Sequence, residues 1–220
     1  ESPMSRGLGD VYKRQAMSLR EFQAALASSS PTPGGGTAAA VALGQAAALS
    51  IMVCDLTLGK EKWADGWTIA EEIQTIAIPM MERANVLATE DSDAFDRVME
   101  GFALPKSTDE EKNLRRQAIR DATFAAAEVP FETATLALEL LSRLPDLARL
   151  GNANAVTDVG VAGLLASAAA KGALFNVDIN LDSLPEDMAA DLNRQSSQVS
   201  EATRIASRAV MDEVRARMNG

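Results

Sequence analysis

Histidine is absent from the 220 residues of this chain. Its absence removes the usual general base, the serine–histidine relay and the commonest metal ligand, so any catalysis must use carboxylates, amines, hydroxyls or helix dipoles. Cysteine occurs once, as Cys54, which excludes an internal disulfide and is typical of a reducing compartment such as the cytoplasm. No residue spacing of the kind that binds metals is present, and we predict no metal site.

Aromatic residues and positive charge are also scarce. Only 4% of the residues are aromatic although 47% are hydrophobic, so the core must form from small side chains on closely packed helices. The formal net charge of -10 argues against nucleic acid or an acidic membrane surface as a partner. We therefore expect one domain whose ligand is a small molecule or another protein.

Two segments could be mistaken for targeting signals. Residues 34–53 carry no charge and are long enough to span a bilayer, but Ala and Gly are nearly neutral on transfer scales and Gln45 and Ser50 interrupt the run. The first fifteen residues contain no apolar stretch typical of a secretory signal. Because Asp10–Gln15 resembles a translated sequencing adapter, we interpret 1–15 as non-native, 16–220 as the domain and Met17 as the natural start.

Helical periodicity dominates the rest of the chain. No window alternates with period two, so we predict an all-α fold, a single up-and-down bundle of long antiparallel helices with no significant sheet. A capping box at Ser18 and Glu21 starts the first helix, and Pro79 and Pro130 should kink the third and fourth. The predicted helices are 19–28, 37–57, 68–102, 108–144, 155–176 and 186–218. The fifth is apolar on nearly every face, which predicts a central, buried helix.

Three consecutive glycines, Gly34, Gly35 and Gly36, follow Pro33 at the start of the second helix. Glycine leaves no Cβ in the way, and a helix start offers free N–H groups to anionic or carbonyl oxygens. Thr37 is placed to cap the helix. The turn therefore predicts either a binding site or a connector that lets two helices touch.

Asp158 is the first candidate for catalysis because it begins the most apolar helix. Burial there would raise its pKa toward that of a general acid or base. Capping of the first helical turn by Thr157 or Asp158 explains the same residues equally well.

Polar residues at other helix ends give weaker signals. The acidic run Glu90–Asp93 is the second candidate for catalysis, but Asp91 and Asp93 do not share a helix face and so make a poor catalytic pair. A solvated helix surface is the commoner explanation of such a run. Lys106 follows a proline at a helix break, where an amine could meet a carboxylate ligand or simply face solvent. Four asparagines flank the apolar helix and could cap it or recognise a heterocycle. They are Asn152, Asn154, Asn176 and Asn180.

Five separated segments, taken in order, resemble the cyclodeaminase/cyclohydrolase family of folate enzymes. They are P-T-P-G-G-G-T-A-A-A, M-V-C-D-L-T-L-G-K at 52–60, D-S-D-A-F with L-P-K, G-N-A-N-A-V-T-D-V-G-V-A and F-N-V-D-I-N-L. The resemblance covers residues 18–218 and implies an all-helical homodimer. It departs from the family pattern at Asp55, where the family usually has Asn before L-T.

The resemblance implies one of two reactions. One is cyclodeamination of 5-formiminotetrahydrofolate to 5,10-methenyltetrahydrofolate and ammonia, and the other is hydrolysis of the methenyl bridge to 10-formyltetrahydrofolate. It implies a tetrahydrofolate derivative as substrate, no tightly bound cofactor and Asp158 as the acid/base residue. The implied folate pocket comprises Pro33, Gly34, Gly35, Gly36, Lys106, Asn152, Asn154 and Asn176, with Lys60, Lys62 and Lys106 as candidates for the glutamate tail. A folate-binding helical dimer without turnover remains the alternative to an enzyme.

Overall fold

The computed structural model describes residues 17–219, so the interpretation of residues 1–15 lies outside the described part of the chain. Six α-helices account for most of that part, and the all-α fold is confirmed. The helices are α1 (Leu19–Leu26), α2 (Gly35–Thr57), α3 (Trp67–Ala103), α4 (Asp109–Leu150), α5 (Val156–Leu181) and α6 (Glu186–Asn219). Short 3₁₀ helices at Glu61–Gly66 and Ala153–Ala155 join α2 to α3 and α4 to α5.

Helices α2 and α5 lie antiparallel at the centre of the bundle. The start of α2 approaches Asn176 near the end of α5, while Thr57 at the end of α2 accepts a hydrogen bond from the backbone N–H of Asn152, just before α5. Helix α3 packs on α2, α4 packs on α3 and α5, and α6 covers α4 and α5. The bundle therefore has two ends, and the polar segments of the chain are divided between them.

Local signals set most of the helix starts. Ser18 and Glu21 form the predicted capping box of α1, and Thr108 with Glu111 forms a second one at α4. At α2 the prediction was wrong, because the helix begins at Gly35, Gly34 is its N-cap, and the Thr37 side chain bonds elsewhere.

Helix α4 continues six residues past its predicted end at 144. Pro145 lies inside it, although a proline in a helix costs about 3 kcal/mol. Leu144, Leu147 and Ala148 on either side of the proline are buried. Burial of one leucine is worth about 1.5–3 kcal/mol, so the two leucines together offset that cost.

Helix α5 is central but not buried on every side, which corrects the prediction. Val161, Leu164, Phe175 and Ile179 are 46%, 57%, 73% and 68% exposed. The segments Gly35–Thr57 and Ala153–Leu181 are long and apolar enough to cross a membrane by length and composition alone. About half of each lies buried inside the bundle, as expected for core helices of a folded domain.

Candidate functional site

Several predicted site residues meet at one end of the bundle, where α2 starts against the side of α3. We call Gly34, Gly35, Gly36, Thr37 and Asp91 the glycine corner. The Thr37 hydroxyl donates a 2.8 Å hydrogen bond to Oδ2 of Asp91 and lies 3.3 Å from the hydroxyl of Ser92. A carboxylate is thus held against the positive end of the α2 dipole.

The glycine corner needs glycine at Gly36. A Cβ added there would lie closer than 3.0 Å to the carboxyl carbon and both carboxyl oxygens of Asp91. A Cβ added at Gly35 would instead make ordinary contact, 3.7 Å from Nδ2 of Asn176. The close approach of the Asp91 carboxyl group therefore requires glycine at position 36, whereas Gly35 lies in ordinary contact with α5.

The Asp91 carboxyl group is partly withdrawn from water. Burial raises its pKa above the usual value of 3.8, and the hydrogen bonds from the side chain and backbone N–H of Thr37 only partly oppose that rise. Among residues 17–219 no ion pair includes Asp91, so no cation neutralises it. A carboxyl group in this setting is suited to proton transfer.

Sequence reasoning missed Asp91 because it lies in an acidic run. The structure shows that the run is not a uniformly solvated surface. The core-facing stripe of α3 contains the buried residues Met80, Ala84, Leu87 and Ala94. Asp91 lies four residues after Leu87 and three before Ala94, so it occupies a position of this stripe. An acid in the apolar stripe of an amphipathic helix was the signal that could have identified it.

A cavity of about 320 Å³ adjoins the glycine corner. Helix α1 forms its outer wall and contributes no buried residue of its own. Apolar side chains and a few convergent polar groups line the cavity, as in most small-molecule sites. The lining residues are Met17, Leu19, Phe22, Ala25, Thr32, Pro33, Thr37, Val41, Asn85, Ala88, Thr89 and Ser92.

Asn176 belongs to the same end of the bundle. Its Nδ2 donates to the carbonyl of Gly172 at 2.9 Å, which leaves the side-chain oxygen directed away from that bond. Asn180, one turn later, donates to the carbonyls of Asn176 and Ala126 and so ties α5 to α4. Of the two amides, only Asn176 touches the glycine corner.

Asn152, Asn154 and Lys60 lie at the opposite end of the bundle. The Asn152 amide donates to the carbonyl of Leu56, and its side-chain oxygen accepts from the backbone N–H of Asn154. Lys60 is exposed, and Lys62 lies over the ring of Trp63. These contacts fasten the end of α2 to the loop before α5.

Asp158 is half-buried in the first turn of α5, at the same end as Asn152. No side chain caps α5, so the capping role considered for Thr157 and Asp158 is not found. Eighteen residues of one helix separate Asp158 from Asn176, which is about 27 Å at 1.5 Å per residue. Within one chain, Asp158 and the glycine corner are therefore far apart.

Lys106 lies in a basic groove at the glycine-corner end. The groove encloses about 450 Å³ and is formed by the start of α4, Lys106 before it and the loop after α5. Five cations in an acidic protein make it a local anion site. The residues of this basic groove are Lys106, Lys112, Arg115, Arg116, Ile119, Arg120 and Ser183.

Across positions 17–219, no group of three His, Cys, Asp or Glu side chains could hold a metal ion. The site instead offers a half-buried carboxyl group, a helix start and hydroxyl and amide groups beside an apolar cavity.

Comparison with known proteins places these features in context. A family model described as formiminotransferase-cyclodeaminase matches residues 18–198. A methenyltetrahydrofolate cyclohydrolase from Methylorubrum extorquens is 37% identical over 168 residues, 76% of this chain and 81% of that protein. A formimidoyltransferase-cyclodeaminase from Gallus gallus is 35% identical over 169 residues, 77% of this chain but 31% of that protein, so the chain spans about a third of it.

A solved structure has the same fold. The crystal structure of formiminotetrahydrofolate cyclodeaminase from Thermotoga maritima, at 2.80 Å resolution, superposes with a TM-score of 0.81 and 27% identity. The match covers 92% of this chain and 98% of that one.

Proposed function

Because the chain belongs to the formiminotransferase-cyclodeaminase family, we propose that it is a folate enzyme of one-carbon metabolism, a formimidoyltetrahydrofolate cyclodeaminase. The observation that carries the proposal is the glycine corner, where Asp91 bonds to Thr37 and Thr37 in turn lines an apolar cavity. Matches to a cyclohydrolase and to a solved cyclodeaminase support the substrate class.

The cavity beside the glycine corner is the proposed site of the pteridine ring. Phe22 and Val41 supply apolar walls, while Asn85 and Thr89 supply donors and acceptors for the polar edge of a heterocycle. Pro33 and Thr37, on either side of the three glycines, line the cavity, and Asn176 lies beside Gly35. We place the reacting nitrogens of the substrate on the side of Thr37, toward the carboxyl group of Asp91 that Thr37 binds.

The reaction requires a C–N bond to form and another to break, and proton transfer is the help that the protein must supply. The N10 nitrogen attacks the formimino carbon, a C–N bond to the amine breaks, and the electron pair of that bond leaves with ammonia. The proton lost by N10 equals the one gained by the amine, so the positive charge of the protonated substrate stays on the methenyl product. Carboxylates suit this chemistry because they also stabilise the cationic bridge.

A second copy of the chain would bring Asp158 into this site as its acid/base residue. The exposed apolar residues of α5 and the neighbouring Met52 and Leu56 of α2 form one face that a homodimer would cover. A twofold axis near Ala168 would pair α5 with its copy in antiparallel fashion. Val161 then faces Phe175 of the other copy, and Asp158 faces residue 178, next to the other copy's Asn176.

The glutamate tail of the folate is proposed to lie in the basic groove. Both the groove and the glycine corner are at the same end of the bundle, because α3 and α4 continue past the start of α2. Lys106 therefore keeps its predicted role, joined by Arg115, Arg116 and Arg120. Lys60 and Lys62 reach a substrate only if the second copy supplies them.

Cyclohydrolase activity is the second candidate, because the Methylorubrum extorquens cyclohydrolase matches over 81% of its own length. The methenyl cation is the product of the cyclodeaminase reaction and the substrate of the cyclohydrolase reaction, so the same pocket could serve both. Asp55, which departs from the family pattern, accepts a 2.6 Å hydrogen bond from Gln74 of α3 rather than facing the cavity.

Two assays on the purified protein test the proposal. One supplies 5-formiminotetrahydrofolate and follows the appearance of methenyl absorbance; the other supplies the methenyl compound and follows its disappearance. Cyclodeaminase activity requires a rate above the spontaneous one in the first assay. A rate in the second assay alone establishes the cyclohydrolase, and neither rate, with folate still bound, establishes a binding protein without turnover.

A further inference from the structure

We infer that Asp91 is a catalytic residue of this site, the acid that protonates the departing amine. The inference rests on the proposed function and assigns within it a group that the sequence did not single out. Asp91 is the carboxyl group that a single chain brings to the glycine corner, whereas Asp158 must come from a second copy.

The position of Asp91 is fixed by its neighbours. Gly36 leaves room for the carboxyl group, the Thr37 hydroxyl donates to Oδ2, and the Thr37 backbone N–H donates to the same carboxyl group. Oδ1 takes no part in the bond from the Thr37 hydroxyl and is the oxygen nearest the space above Gly36. The carboxyl group is thus held at a fixed position against the start of α2.

The surroundings keep Asp91 able to hold a proton. Arg83 on the same helix forms ion pairs with Glu90 and with Glu132 of α4, so it does not neutralise Asp91. No charged residue occurs in α2 before Asp55. Burial raises the Asp91 pKa, which suits an acid that must be protonated when the substrate binds.

The two carboxyl groups then divide the work. Asp91 gives its proton to the amine nitrogen as the C–N bond breaks, and ammonia leaves. The Asp158 carboxylate of the second copy takes the proton from N10. Each group exchanges its proton with water before the next turnover, so no other reactant is needed.

Asp91→Asn tests this assignment because it keeps the shape of the side chain and removes the acid. We expect kcat to fall by on the order of a hundredfold or more in whichever of the two assays the wild type supports. Binding of 5-formyltetrahydrofolate, measured by calorimetry, should stay within about threefold of wild type, a difference small against the tenfold that 1.4 kcal/mol represents. Glu100→Gln, an exposed change on the same helix, is the matched control.

The assignment is overturned if Asp91→Asn turns over at the wild-type rate, or if it loses folate affinity as much as it loses rate. Should that variant not fold, Asp91→Ala with added formate decides, since a catalytic acid should be partly replaced by the small acid and a structural one should not. A wild-type protein inactive in both assays refutes the proposed function rather than the assignment.

Discussion

Replacement of Gly36 by alanine should harm the protein although alanine is the better helix former. The added Cβ collides with the Asp91 carboxyl group, so Asp91 must turn away from Thr37. The lost hydrogen bond, 2.8 Å long and made to a carboxyl group, is worth about 1.5–3 kcal/mol. Alanine returns up to about 1 kcal/mol of helix propensity.

The net loss of stability is therefore about 0.5–2 kcal/mol. For a chain of this size each 1 kcal/mol lowers Tm by about 2–4 °C, so Tm should fall by roughly 1–8 °C. Turnover should fall by about a hundredfold, the usual penalty for a misplacement of about 1 Å in a catalytic group.

Gly35→Ala is the matched control for stability, because its Cβ would make only ordinary contact with Asn176. Thermal unfolding followed by circular dichroism should show Gly35→Ala at or above the wild-type Tm and Gly36→Ala below it. In an Asp91→Ala background the Gly36 substitution should cost nothing further. Equal Tm values for the two single variants would refute the close approach of Asp91 to α2.

Four further outcomes follow from the structure. Leu164→Glu on the exposed face of α5 should give a monomer in light scattering and abolish turnover, whereas a dimer would exclude this face. Arg116→Glu in the basic groove should raise KM several-fold with little change in kcat. Because the pKa of Asp91 is raised above 3.8 in the folded protein, the native state binds this proton more tightly than the unfolded state does. The stability of the wild type should therefore fall as pH rises from 3.8 through the raised pKa. The Tm of Asp91→Asn, which cannot titrate, should rise relative to the wild-type Tm over that pH range. Burial raises the pKa of Cys54 to about 12, so a thiol reagent should label it only after unfolding.

The fold could be predicted from the sequence because its helices are long, periodic and punctuated by strong caps. Boundaries were missed where tertiary contacts decide them. Thr37 bonds to Asp91, fifty-four residues away, so α2 starts earlier than local capping predicts. Leu147 and Ala148 are buried beyond Pro145, and their burial offsets the cost of the proline, so α4 continues to Leu150.

The candidate site was predicted in part. The glycine turn and Asn176 do meet, as Gly35 lies beside the Asn176 amide. Asp158 and Asn152 lie at the other end of α5, because linear spacing does not tell which end of a helix faces a given turn. Asp91 was missed because its burial depends on the packing of α3 against α2. The neighbouring acidic residues make the segment look solvent-exposed in the sequence.

A crystal structure of the protein with bound 5-formyltetrahydrofolate would show whether the substrate binds beside Asp91. We expect the pteridine ring in the cavity under α1, with its reacting nitrogens toward Asp91 and the glycine corner. A pteridine bound instead among Asn152, Asn154 and Lys60 of a single chain, remote from Asp91 of either copy, would contradict it.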